Sequence, residues 1–156
     1  MNATIGHVHL KVSDLERSLA FYRDVLGFEV TQQLGTQAAF LSANGYHHHL
    51  GLNTWESEGG QPPSHGTTGL YHVAILFPSE AEMAAAVRRV LKAGLPLEGA
   101  ADHGVSEAVY LKDPDGNGVE LYWDKPKSTW PRKVDGSLAM FTAPLDLDRL
   151  LLNGDT

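Results

Sequence analysis

The chain repeats itself, and the repeat constrains its fold more than any other feature. His7-Val8-His9-Leu10-Lys11-Val12 opens a first half, and His72-Val73-Ala74-Ile75-Leu76-Phe77 opens a second. Each is followed by a Ser-x-x-Glu sequence, Ser13-Asp14-Leu15-Glu16 and Ser79-Glu80-Ala81-Glu82. Both read as capping boxes, in which the serine accepts a backbone N–H that the first helical turn leaves free. Each helical run then meets a glycine stop, Gly27 and Gly94. Further on, Ala39-Phe40-Leu41 with Asn44-Gly45 matches Val109-Tyr110-Leu111 with Asp115-Gly116. One unit is therefore used twice, and two copies can place equivalent strands around a shared site.

Periodicity fills in the unit. Val8, Leu10 and Val12 alternate with His7, His9 and Lys11, which predicts a strand over 5–12. Leu15, Leu19, Tyr22 and Leu26 fall at helical spacing over 14–26. Strands follow over 28–34, 37–42 and 47–55, the last two joined by an Asn44-Gly45 hairpin signal. Residues 56–69 are rich in Gly, Pro and Ser and read as a linker. The second copy gives a strand over 70–77, a helix over 80–93 and strands over 96–100, 106–112 and 117–124. Asp113-Pro114-Asp115-Gly116 is a turn, because Pro fixes φ and Gly accepts positive φ. The expected fold is α+β, β-α-β-β-β twice. Residues 1–124 are expected to form one domain: repeat one 5–55, linker 56–69, repeat two 70–124. An extension, 125–156, has no counterpart in the first copy and a short helix is expected at Leu145–Leu152.

Composition excludes several classes of partner. The net charge is −7 with no cluster of Lys or Arg, which argues against nucleic acid and anionic membranes. No apolar run approaches the ~18 residues of a membrane span, and the first residues lack the features of a signal peptide. There is no cysteine, so neither a disulfide nor a thiolate ligand is available. A cytoplasmic setting is the expectation.

Three residues stand out by their place in the repeat. His7 and His72 each begin the first strand of a copy, and Glu120 sits in the apolar strand Val119-Glu120-Leu121. A carboxylate within such a strand needs a partner, since burying it alone is costly. Two imidazoles and one carboxylate form a facial triad that leaves positions open on a divalent metal.

Ile5-Gly6-His7-Val8, Asp14-Leu15-Glu16-Arg17-Ser18, Phe21-Tyr22 and Leu26-Gly27-Phe28 resemble the opening of the vicinal oxygen chelate superfamily. Gly69-Leu70-Tyr71-His72-Val73-Ala74-Ile75 and Asp113-Pro114-Asp115-Gly116-Asn117-Gly118-Val119-Glu120-Leu121 resemble its second half. That superfamily includes glyoxalase I, bleomycin- and fosfomycin-resistance proteins and extradiol dioxygenases. The resemblance covers residues 5–124 and implies two paired βαβββ units forming a half-open, eight-stranded barrel around a metal held by His7, His72 and Glu120. Within the superfamily the chain is most similar to catechol 2,3-dioxygenase-like proteins. This implies O₂-dependent ring cleavage of a catechol-type aromatic, as in aromatic catabolism. Fe(II) is the expected metal, with Mn(II), Zn(II) and Ni(II) as alternatives.

The same resemblance gives roles to other residues. The run Tyr46-His47-His48-His49-Leu50 is similar to the segment that supplies an acid–base histidine, and this register selects His48. Counting from the two turns of the repeat instead sets His49 opposite Glu120, as a fourth ligand. His103 and Tyr110 resemble the second pocket histidine and the pocket tyrosine of extradiol enzymes, and His9 shares a face with His7. Extradiol enzymes of this kind are about twice as long, with two such modules. The alternatives are a glyoxalase I-like isomerase or lyase, which usually takes four protein ligands, and a non-catalytic protein that binds an aromatic antibiotic. A homodimer is expected, because Trp130, Phe141 and Leu145–Leu152 add apolar surface beyond the repeat.

Overall fold

A computed structural model describes residues 1–152. Residues 153–156, the end of the expected extension, lie outside the described residues. The chain divides into two compact units, Met1–Gly69 with Asp113–Asn117, and Leu70–Lys112 with Gly118–Thr156.

The first unit runs β1 (Val8–Lys11), α1 (Leu15–Leu19) continuing as a π-helical segment (Ala20–Val25), β2 (Glu29–Leu34), β3 (Ala38–Ser42) and β4 (Leu50–Asn53). Its sheet has the order β1-β4-β3-β2, with β1 parallel to β4 and the other pairs antiparallel. The π-helical turns accommodate two neighbouring aromatic rings, Phe21 and Tyr22, both buried and packed edge to face 4.8 Å apart. The Tyr22 hydroxyl donates to Asp113 Oδ2 at 2.8 Å. The Asp-Pro-Asp-Gly turn is thus more than a reversal. Asp113 Oδ1 accepts from the Asp115 and Asn117 N–H groups, while Asp115 Oδ1 accepts from the Ser13 N–H and from Arg17 Nη2 at 2.8 Å. Buried carboxylates persist only when satisfied in this way.

That engagement changes the first helix cap. The cap of α1 is Asp14, whose side chain accepts from the Arg17 N–H at 3.0 Å; Ser13 instead takes the Arg17 guanidinium. The capping box expected at Ser13 is therefore displaced by one residue. The second stands where expected: Ser79 Oγ accepts from the Glu82 N–H at 3.2 Å.

The second unit runs β5 (His72–Phe77), α2 (Glu80–Lys92), β6 (Gly99–Asp102), β7 (Ser106–Lys112) and β8 (Gly118–Asp124), followed by a 3₁₀ turn (Lys127–Thr129), β9 (Ala143–Pro144) and α3 (Leu147–Leu152). Its sheet order, β5-β8-β7-β6-β9, repeats that of the first unit and adds one strand. The expected βαβββ unit is present twice. β9 has no signature in the sequence, since two residues carry no readable alternation. The expected strand 96–100 begins instead at Gly99, preceded by a single Glu98 N–H bond to the Tyr110 carbonyl oxygen; Pro96 has no N–H to extend the ladder. Met83, Ala84, Ala86, Val87 and Val90 form the buried face of α2, against which α3 packs with Leu150 fully buried. Leu147–Leu152 thus serves its own unit, which weakens the argument that its apolar residues await a second copy.

Candidate metal and acid–base site

Each unit concentrates its candidate residues on one face of its sheet. In the second unit, Val119 and Leu121 of β8 are buried in the core, so the alternate residue Glu120 is on the opposite face. Glu120 pairs with Ala74 on one side and Tyr110 on the other. His72 Nε2 lies 2.8 Å from Glu120 Oε2. The close pairing of β5 with β8 makes this approach possible. His72 pairs with Gly118, where a Cβ would stand 2.1 Å from the Tyr71 carbonyl oxygen and 2.9 Å from His72 Cβ. Only glycine permits the strands to close there. Among the described residues, the buried His72 Nδ1 has no hydrogen-bond partner, and the Nε2 contact with Glu120 is what orients the ring.

Tyr110 and His103 complete this half. The Tyr110 hydroxyl lies 2.6 Å from His103 Nε2 and 3.5 Å from Glu120 Oε1. Burial, then the charge and hydrogen bond of Glu120, with Tyr71 last, push the Tyr110 phenol up to about 12. It therefore keeps its proton at neutral pH and remains a donor. His72, His103, Tyr110 and Glu120 line an open cavity of about 450 Å³, whose remaining wall is Val105, Ser106, Met140, Phe141 and Thr142. Sequence reasoning missed Met140 and Thr142; a cavity wall made by a non-repeating tail leaves no periodic signal.

In the first unit, His7 immediately precedes β1 and its ring is 4.3 Å from that of His48. His48 also lies 5.1 Å from the Phe40 ring, and its Nδ1 is 2.7 Å from His47 Nδ1. One of these two nitrogens must carry the proton that the other accepts. Burial first, and then His7, His47, His9 and His49, hold the His48 pKa below its ordinary value. Burial and then His7 do the same for His9, whose Nε2 lies 2.9 Å from the Asn53 amide nitrogen. The histidine run is not part of the strand expected over 47–55: β4 begins at Leu50, and the run occupies the loop before it. Gly45, at φ +83°, reverses that loop.

The observed registers correct the assignment of His49. Val8 pairs with Leu50 and Val73 pairs with Val119, so Gly51, opposite His9, is the counterpart of Glu120. The count that put His49 in that place crossed hairpins of unequal length. His49 Nδ1 accepts from the Ala43 N–H at 3.2 Å, within its own hairpin. Gly51 is itself constrained, since a Cβ there would sit 2.7 Å from His9 Nδ1.

The structure thus brings together His72 with Glu120, Tyr110 with His103, and His7 with His48. Among the described residues, no group of three or more His, Cys, Asp or Glu is gathered as in a formed metal centre. A divalent ion nevertheless fits the donor chemistry of the His72–Glu120 pair. The two donor atoms stand 2.8 Å apart on one face of the sheet, close enough to meet on a single ion. An imidazole with a carboxylate suits Fe(II), Mn(II) and Zn(II).

A family model of the Glyoxalase/Bleomycin resistance protein/Dioxygenase superfamily matches residues 4–121. The chain belongs to this superfamily. It is 44% identical over 147 residues to a catechol-2,3-dioxygenase of Bacillus subtilis (strain 168), a match spanning 94% of the chain and 50% of that protein. It is 31% identical over 122 residues to biphenyl-2,3-diol 1,2-dioxygenase 3 of Rhodococcus globerulus, spanning 77% of the chain and 63% of that protein. The chain therefore matches only half to two thirds of the length of these curated relatives. Among solved structures, lactoylglutathione lyase from Agrobacterium tumefaciens matches with a TM-score of 0.62 and 28% identity, over 79% of this chain and 95% of that one. No helix among the described residues is long and apolar enough to cross a membrane.

Proposed function

We propose that this superfamily member is a metal-dependent extradiol dioxygenase that opens a catechol-type ring with O₂. His7, His72 and Glu120 would hold the ion, with Fe(II) expected. The ion supplies Lewis acidity and open positions, which favour the ionised substrate. His48 takes the proton of the second ring hydroxyl and later returns it. Tyr110 and His103, which share one proton across 2.6 Å in the free protein, would turn hydrogen bonds toward substrate oxygen as charge develops there. The observation that carries this reading is the row His72–Glu120–Tyr110–His103 along one cavity wall, seen in a chain with 44% identity to a protein named catechol-2,3-dioxygenase. The unit-bearing module would be residues 1–124, acting on a small aromatic in the cytoplasm.

A glyoxalase I-like isomerase is the second reading, favoured by the lactoylglutathione lyase match. Gly51 weighs against it, because the counterpart of Glu120 in the first unit offers no fourth ligand. Anaerobic purification with metal analysis, followed by oxygen uptake on catechol, separates the readings. Iron with oxygen consumption supports the dioxygenase. Nickel or zinc with a thiol-dependent isomerase activity supports the second reading, and absence of metal supports an aromatic-binding protein. Glu120→Ala should lose stoichiometric metal while retaining the fold. His48→Ala should retain metal and lose cleavage by on the order of 10²–10⁴-fold.

A further inference from the structure

The chain segment after β8 lies outside the repeat, yet it supplies the wall and the backbone group that His103 faces. β9 pairs with the end of β6, Ala101 with Pro144 and Asp102 with Ala143, so the residues just before β9 run beside the loop that carries His103. The Phe141 N–H donates to the His103 carbonyl oxygen at 3.3 Å, and the Phe141 carbonyl oxygen lies 3.0 Å from His103 Nδ1. The Phe141 ring covers Gly104, where a Cβ would come within 2.6 Å of it. A carbonyl oxygen can only accept, so the 3.0 Å contact to Phe141 calls for a proton on His103 Nδ1, and it is shorter than the 3.4 Å contact of the same nitrogen with the Thr142 hydroxyl. In the neutral ring Nε2 is then an acceptor, and the Tyr110 hydroxyl 2.6 Å away is its donor. The tyrosine has one proton and two neighbours. The 2.6 Å approach to His103 takes it over the 3.5 Å approach to Glu120, which is at the limit of a hydrogen bond.

The extension is also anchored by a charged side chain. Arg149 of α3 bonds to Glu80 at the start of α2 and, through Nη2, to Glu107 Oε1 of β7 at 2.8 Å. Glu107 is buried, and removing a partner from a buried carboxylate is disruptive. Leu150 beside it is fully buried.

We propose that the C-terminal extension positions the acid–base apparatus: the Phe141 carbonyl selects the Nδ1–H tautomer of His103, Tyr110 is thereby poised against Nε2, and Arg149 is the positioning residue that keeps the extension in place. This rests on the dioxygenase reading only for its effect on turnover; the tautomer is a property of the protein alone.

The test is ¹⁵N spectroscopy of the full chain labelled at histidine, at about pH 8, above the ordinary histidine pKa of about 6.5. Loss of one ring-nitrogen pair in His103→Gln assigns the signals. The expected result is a His103 ring protonated at Nδ1 and bare at Nε2. Arg149→Met should convert this to a mixture of tautomers and lower kcat for catechol about tenfold, with less change in KM, as misplacement of a catalytic group does. Arg149→Lys should restore part of both. A wild-type ring protonated at Nε2 would overturn the proposal, as would Arg149→Met that stays folded by its amide spectrum and keeps the wild-type tautomer. Should Arg149→Met fail to fold, Glu80→Gln, which releases one end of Arg149, is read in the same two ways. Absence of catechol turnover in the wild type would sink the dioxygenase reading, while the ring nitrogens still decide this one.

Discussion

Two glycines are fixed by what lies across the ladder rather than by turns. A Cβ on Gly118 would meet backbone, the Tyr71 carbonyl oxygen at 2.1 Å, and His72 Cβ at 2.9 Å. Gly118→Ala must therefore push β5 away from β8 and drag His72 from Glu120. Overpacking of this kind typically costs about 1–3 kcal/mol. Thermal unfolding should show that loss, and metal affinity should fall with it; a variant of unchanged stability would contradict the register. At Gly51 the nearest atoms are those of the His9 ring, a side chain rather than backbone. Gly51→Ala should therefore be milder in stability. The two glycines occupy different positions of the repeat, Gly51 matching Glu120 and Gly118 lying opposite His72, and they guard different things.

At the scale of elements, the carboxylates of the Asp-Pro-Asp-Gly turn decide how α1 begins. Asp115 occupies the Ser13 N–H and the Arg17 guanidinium, so the cap passes to Asp14. Asp14→Ala should cost about 1 kcal/mol, the usual loss of an N-cap. Ser13→Ala, which removes only an exposed hydroxyl contact to Arg17, should cost less. Chemical denaturation of the two variants checks the order; the reverse order would restore the cap read from sequence. The loop between β6 and β7 depends in turn on Asp102, which accepts from the Gly104 N–H and from Lys125 Nζ at 2.7 Å through both oxygens. Burial opposes the charged form of Asp102, but Lys125, the Gly104 N–H and His103 together outweigh it and hold the carboxyl below its ordinary range.

For the whole molecule, that shift sets a pH dependence. A carboxyl whose pKa is lower folded than unfolded adds stability above its unfolded value, and the addition disappears as pH falls through the folded value. Asp102→Asn should therefore melt below the wild type at pH 7, by an amount on the order of 1 kcal/mol for a charge-assisted bond. The two melting curves should converge below about pH 4, the ordinary aspartate range. A gap that persists unchanged in acid would mean that Asp102 contributes by packing instead. The homodimer expected from the sequence is also a property of this scale. Leu150 is consumed within its own unit, while Met140, Phe141 and Leu152 stay exposed. A solution mass of twice 16.9 kDa at micromolar concentration would support a dimer, and a monomer mass would count against it.

The sequence by itself determined the two βαβββ units, the helix stops at Gly27 and Gly94 and the sheet face of Glu120. These follow from periods of two and 3.6 and from backbone demands that few residues meet. It also marked Glu120 as a carboxylate in need of a partner. The tertiary structure alone decided that the partner within its unit is His72, that Gly51 rather than His49 is its counterpart, and that Asp14 caps α1. It alone set Phe141 against His103 and closed α3 on α2. Each of these depends on register between segments far apart in the chain, or on a side chain claimed first by a distant partner. Local pattern carries the direction of a side chain, but not the contest for the group it meets.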